Sequence, residues 1–142
     1  MLETEPNAEY ADVMEQVLYN TVLSGMAMDG KSFFYVNPLE VLPEACHKDE
    51  RKFHVKPVRQ KWFGCACCPP NLARIISSLP AYAYTENEDT LFVHLYVGGT
   101  ITKQIHGENA VFEIESEYPW KDKVKIRYVG EKALSLNLAV RL

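Results

Sequence analysis

The stretch Gly64-Cys65-Ala66-Cys67-Cys68-Pro69-Pro70-Asn71-Leu72-Ala73-Arg74 sets two adjacent cysteines at the mouth of a helix. Proline suits a first helical turn, where its missing N–H costs nothing. Leu72, Ile75, Ile76 and Leu79 then mark one face of that helix up to Pro80. A helix N-terminus carries partial positive charge and free N–H groups. Both favour the thiolate over the thiol, and the thiolate is the form that binds metal or attacks carbon.

Upstream, Asn7 can cap a helix from Ala8 to Ser24, with Gly25 as its stop. Tyr10, Val13, Met14, Val17, Leu18, Thr21 and Val22 recur with helical period. Asp29-Gly30 signals a turn, and Ser32–Val36 reads as a short strand or extended segment ended by Asn37-Pro38. From Pro43 to Trp62 no period holds. This long charged loop is expected to be packed down by Phe53, Val55, Val58 and Trp62.

Downstream the period changes. Leu91, Val93, Leu95 and Val97 alternate with Phe92, His94 and Tyr96, and Gly98-Gly99 turns the chain. Further strands are expected over 101–105, 110–115, 123–128 and 134–142, as a β-sandwich or meander. The fold class is therefore α+β, with residues 1–87 helical and residues 88–142 β. Leu142 falls inside a strong strand pattern, and two helices cannot bury both their faces alone. The chain reads as part of a larger protein.

Composition narrows the classes. The chain has 142 residues, 47% hydrophobic and 24% charged, which is enough apolar material for a packed core. The net charge of −4 argues against a nucleic-acid binder, despite the basic residues of the long loop. No apolar run reaches the roughly 20 residues of a membrane span, and no signal-peptide pattern opens the chain. Expected partners thus exclude nucleic acid and membrane, and the expected location is cytoplasmic. The four cysteines are Cys46, Cys65, Cys67 and Cys68. Three of them lie within four residues, which points to metal or catalysis rather than a disulfide framework.

The block Lys61–Asn71 resembles glycoside hydrolase family 127, the β-L-arabinofuranosidases. So do Tyr19–Gly25 and Gly30–Leu39. The resemblance runs over nearly the whole chain and is strongest from Tyr10 to Arg74. It implies an (α/α)6 barrel holding the active site, followed by β-sandwich domains. Residues 1–87 would then be the C-terminal part of the barrel, and residues 88–142 a partial antiparallel β-sandwich. It also implies a retaining mechanism and a zinc ion held by three cysteine thiolates and one glutamate. Matched position by position, Cys67 would be the nucleophile and a zinc ligand, and Cys68 a second ligand. Glu15 and Tyr35 would line the sugar pocket. The Glu-x-Cys element and the acid/base glutamate of the resembled family fall upstream of the segment matching Met1. The zinc site is therefore incomplete in this chain, and a separate chain carrying the missing barrel half is one candidate partner. The isolated chain is expected to be inactive on arabinofuranosides.

Simpler readings stand beside each of these. Cys67 and Cys68 could be small packed hydrophobes. Cys46, Cys65, Cys67 and Cys68, with His47 or His54, could form a structural zinc knuckle, although Cys-x-Cys-Cys departs from the usual pair of separate knuckles. Glu15 could be a solvated helix glutamate, and Tyr35 a core residue. Trp120 and the tyrosines of the β half could form a carbohydrate-binding module, but filling a core is the simpler reading.

Overall fold

The structure is a computed structural model, and it describes residues 2, 4–52, 54–65 and 67–142. Helices and β-sheets share the chain, as expected for α+β. Two compact units result: Met14–Ser77 forms one, and Met1–Val13 with Ser78–Leu142 forms the other.

Asn7 caps the first helix as expected, its Oδ1 accepting from the Glu9 N–H at 2.9 Å. The helix α1 runs over Ala8–Gln16, and Val17–Val22 then widens into a π-helix. The expected α-helix to Ser24 is therefore interrupted. Asn20 donates from Nδ2 to the Gln16 carbonyl at 2.8 Å within the widened turn. Turns of this type recur at functional sites.

In the unit Met14–Ser77, Gly30 turns the chain at φ 68°, a conformation that favours glycine. Ser32–Val36 is not a strand. Phe33 alone makes bridges, one to Met26 and one to Gln60. The Phe33 and Gln60 N–H groups each donate to the other's carbonyl, at 3.0 and 2.9 Å. The long loop is held at Gln60 and at Arg59, which donates from Nε and Nη2 to the Ser24 carbonyl at 3.0 and 2.5 Å. Its guanidinium also stands over the Phe34 ring, 4.6 Å from the centroid. Val58 and Trp62, expected as anchors, are exposed, and Phe53 lies outside the described residues. A short helix α2, Ala45–Lys48, buries Cys46 within the loop. The helix α3 covers Cys68–Ser77 and α4 covers Leu79–Ala83. Pro80 does not end the helical region as expected. It occupies the first turn of α4, where proline is tolerated.

In the other unit, one sheet has the order β1-β2-β6, with β1 Tyr84–Glu86, β2 Thr90–Val93 and β6 Asn137–Val140. The second is a meander of β3 Gly99–Ile105, β4 Glu108–Ser116 and β5 Val124–Tyr128. His106 and Gly107, both at positive φ, form the tight turn between β3 and β4. All pairs are antiparallel except β2 with β6, which is parallel. That pair corrects the expectation of a wholly antiparallel β half. Leu91, Val93 and Leu95 are fully buried, as their alternation requires, together with Tyr84, Ile105, Ala110, Phe112 and Ile114. Trp120 does not fill the core: it is 87% exposed. Among the described residues no helix is long and apolar enough to cross a membrane.

Candidate active site

Phe63 approaches Tyr35 through aromatic contact. The Phe63 ring lies 5.3 Å from that of Phe33 and 5.7 Å from that of Tyr35, centroid to centroid. This brings the cysteines to the Tyr35 backbone, where Cys68 Sγ donates to the carbonyl oxygen at 3.3 Å. Asn71 donates from Nδ2 to the Cys67 carbonyl at 2.9 Å, fixing the chain just before α3. Phe63 was not singled out in the sequence. The signal was there in the alternation of Phe33 and Tyr35, which gives two rings on one side of an extended segment.

Three sulfurs meet here. Cys67 Sγ lies 3.5 Å from Cys65 Sγ and 3.5 Å from Cys68 Sγ. Cys65 and Cys67 are exposed and Cys68 is half-buried. The Cys67 thiol is held below its ordinary range, first by hydrogen bonding from Cys68, then by Cys65 and by Tyr35. The Tyr35 hydroxyl is pushed up to about 12, chiefly by its hydrogen bond to Cys67. Tyr35 therefore keeps its proton and can donate it in a hydrogen bond to the Cys67 sulfur. Burial is the main reason that Cys68 is driven the other way, above its ordinary range. Position at a helix mouth thus does not lower both thiols. Hydrogen bonding around Cys67 shifts it down, and burial shifts Cys68 up.

Glu15 lies in α1, half-buried, with its Oε1 out of contact with solvent. It is not among the groups that shift Cys67, Cys68 or Tyr35. Cys46 is buried in α2 and takes no part in the sulfur contacts. A cleft of about 260 Å³, lined by Thr21, Phe34, Asn37, Cys68 and Asn71 among others, opens beside Cys68.

Among the described residues no group of three or more His, Cys, Asp or Glu side chains is arranged to hold a metal ion. The donor set of Cys67 and Cys68 nonetheless fits half of a zinc site. Two sulfurs on one tetrahedral zinc, each bonded at about 2.3 Å, stand roughly 3.8 Å apart. The observed 3.5 Å is close to that separation.

Sequence and structure comparisons agree on a class. The family described as "Beta-L-arabinofuranosidase, GH127 catalytic domain" matches residues 1–81. The chain belongs to this glycoside hydrolase family. It is 40% identical over 127 residues to the non-reducing end beta-L-arabinofuranosidase of Bifidobacterium longum subsp. longum, spanning 88% of this chain and 19% of that protein. A GH127 beta-L-arabinofuranosidase from Geobacillus stearothermophilus T6 is similar over the whole chain, at 54% identity and a TM-score of 0.84, with 22% of that enzyme covered. A further GH127 beta-arabinofuranosidase matches at 37% identity and a TM-score of 0.71, over 87% of this chain and 18% of that one. The chain thus spans about a fifth of the length of these relatives.

Proposed function

We propose that this chain is the nucleophile-bearing part of a retaining, zinc-dependent glycoside hydrolase that releases β-L-arabinofuranose from arabinofuranosides. Residues 1–87 are read as the C-terminal part of an (α/α)6 barrel, and residues 88–142 as part of a β-sandwich. The observation that carries the reading is the surround of Cys67, whose sulfur meets two neighbouring sulfurs at 3.5 Å and a tyrosine hydroxyl held in its protonated form.

In this reading the Cys67 sulfur attacks the anomeric carbon and the glycosidic oxygen departs. This gives a sugar–sulfur bond that water later opens, so the configuration is retained. Carboxylates play the nucleophile's part in the general scheme. Tyr35 donates a hydrogen bond to the Cys67 sulfur before attack and is free to turn to a sugar hydroxyl afterwards. Cys67 and Cys68 would hold zinc, which when bound favours loss of the proton from its sulfur ligands. Glu15 would bind a sugar hydroxyl from the first helix. Protonation of the leaving oxygen requires an acid/base group, which in this reading belongs to the rest of the barrel.

The test is covalent labelling. An arabinofuranose-shaped electrophile is expected to modify Cys67 in a longer version of the protein with the upstream barrel restored. Cys67→Ser should abolish labelling, Cys46→Ser should leave it unchanged, and Cys68→Ser should reduce it. An adduct on Cys46 or Cys65 with Cys67 unmodified would refute the assignment.

A second reading is favoured by one observation, the exposure of Trp120. An exposed indole can stack on a sugar ring, as in a carbohydrate-binding module. In that case arabinan binding would survive Cys67→Ser and be lost in Trp120→Ala.

A further inference from the structure

We infer that Cys65 and Cys67 are a reversible redox pair, with Cys65 the resolving thiol for an oxidised Cys67. The chemistry stands on the sulfur geometry. Its consequence, that oxidation silences the site, rests on the proposed role of Cys67 as nucleophile.

The two sulfurs are already in contact at 3.5 Å, and both residues are exposed. A disulfide bond is about 2.05 Å long, so closure asks for a movement of roughly 1.5 Å. Cys65 can supply it, because it precedes α3 and belongs to no helix or strand. Cys68 is no nearer in effect, although its sulfur is also 3.5 Å from Cys67. It is the first residue of α3, and its sulfur is engaged with the Tyr35 carbonyl at 3.3 Å. A disulfide between adjacent residues also closes a small ring containing the intervening peptide bond, which strains a group that prefers to be planar and trans. Cys46 is buried in α2, outside the sulfur contacts.

The oxidant is a hydroperoxide. The Cys67 thiolate attacks the outer peroxide oxygen and the O–O bond breaks. Cys67 becomes a sulfenic acid, and the departing alkoxide or hydroxide takes up a proton. The Cys65 thiolate then attacks the Cys67 sulfur. The S–S bond forms, the S–O bond breaks, and hydroxide leaves to become water on protonation. Two thiols and one hydroperoxide thus give one disulfide, one alcohol or water, and one water. The two electrons lost by sulfur reduce the peroxide. A dithiol reverses the change by exchange. Pairing with Cys65 spares Cys67 from the irreversible sulfinic state.

The test uses the reduced 142-residue chain, freed of metal with a chelator and treated with one equivalent of hydrogen peroxide. Remaining thiols are blocked with iodoacetamide under denaturing conditions. The tryptic peptide Trp62–Arg74, which carries Cys65, Cys67 and Cys68, is then mapped without reduction. The expected product has lost two hydrogens, carries one blocked cysteine at Cys68, and regains all three free thiols with dithiothreitol. Cys65→Ser should lose this product and accumulate sulfinic acid at Cys67, while Cys68→Ser should still form it. A dominant Cys67–Cys68 bond, or sulfinic acid at Cys67 in the unsubstituted chain with Cys65 still free, would overturn the inference. Labelling of Cys67 by the sugar electrophile is a separate measurement. If the disulfide forms but labelling fails in the longer protein, the enzymatic reading falls and the redox pair stands.

Discussion

Arg59 and Ser24 are joined by two hydrogen bonds from one guanidinium to one carbonyl oxygen, across 35 residues of chain. Ser24 ends the first helical segment, where carbonyls lack intrahelical partners. The same guanidinium covers Phe34, next to Tyr35. Arg59→Ala should therefore destabilise the Met14–Ser77 unit by about 1.5–3 kcal/mol, the range for hydrogen bonds to a charged group. Arg59→Lys should recover only part of this, because an ammonium cannot form the planar fork. Urea unfolding of the three proteins would measure it, and equal midpoints would refute the clamp.

Activity of the chain by itself is the next expectation. With no acid/base carboxylate in the proposed role, the purified 142-residue protein should not measurably hydrolyse an aryl β-L-arabinofuranoside. General acid–base assistance is worth about 10²–10⁴-fold, and positioning by a complete pocket adds to it. Clear turnover, proportional to protein and lost in Cys67→Ser, would show that the chain needs no further segment.

Zinc should bind, but weakly. Two thiolates leave a four-coordinate ion half dependent on water. A competing chelator should strip the metal, Cys68→Ser should abolish uptake, and Cys46→Ala should change nothing. Tight one-to-one binding that disappears in Cys46→Ala would favour the structural-knuckle reading instead.

His94 gives the Ser78–Leu142 region a sensitivity to acid. It is buried, and its Nε2 lies 2.7 Å from Thr85 Oγ1. Burial, and then the nearby Arg141 charge, hold its pKa below the ordinary value of 6.5. The folded state thus favours neutral imidazole, while the unfolded chain takes up a proton as pH falls through its own value. Stability should be full above about pH 6.5 and decline below it until the folded pKa is reached. His94→Gln should flatten that part of the profile. Glu115, lowered first by Lys125, contributes in the same direction but only as pH falls through the carboxylate range. An unchanged slope between about pH 7 and 5 in the His94→Gln protein would exclude the histidine as the cause.

What could be read from the sequence was mostly what depends on neighbours along the chain. Asn7 as a cap and Leu91, Val93 and Leu95 as a buried row follow from local period, and the structure keeps them. The meander strands also fall close to their expected places. Partners distant in sequence were not legible. Phe33 looked like a strand residue because its neighbours are apolar, yet its hydrogen bonds go to Gln60. Trp62 and Trp120 looked like packing residues by type, but nothing local states which side of the backbone faces a neighbour, and both are exposed. At the candidate site the cysteines stood out by spacing, and their chemical difference did not. Cys67 and Cys68 are adjacent in sequence, and only their surroundings separate them.

The parallel pairing of β2 with β6 carries a consequence for the order in which this region assembles. Thr90 pairs with Asn137 and Val93 with Val140, so that sheet is completed only after the intervening meander has been spanned. The meander makes its contacts between consecutive strands and pays little loop-closure entropy. It should gain amide protection early in refolding, with β6 joining last. Arg141 arrives with it, donating to the His94 carbonyl at 2.9 Å and pairing with Asp12 at 2.6 Å. Arg141 therefore acts as a latch. Arg141→Ala would loosen the hold on α1 at Asp12 and on the chain after β2 at His94 together.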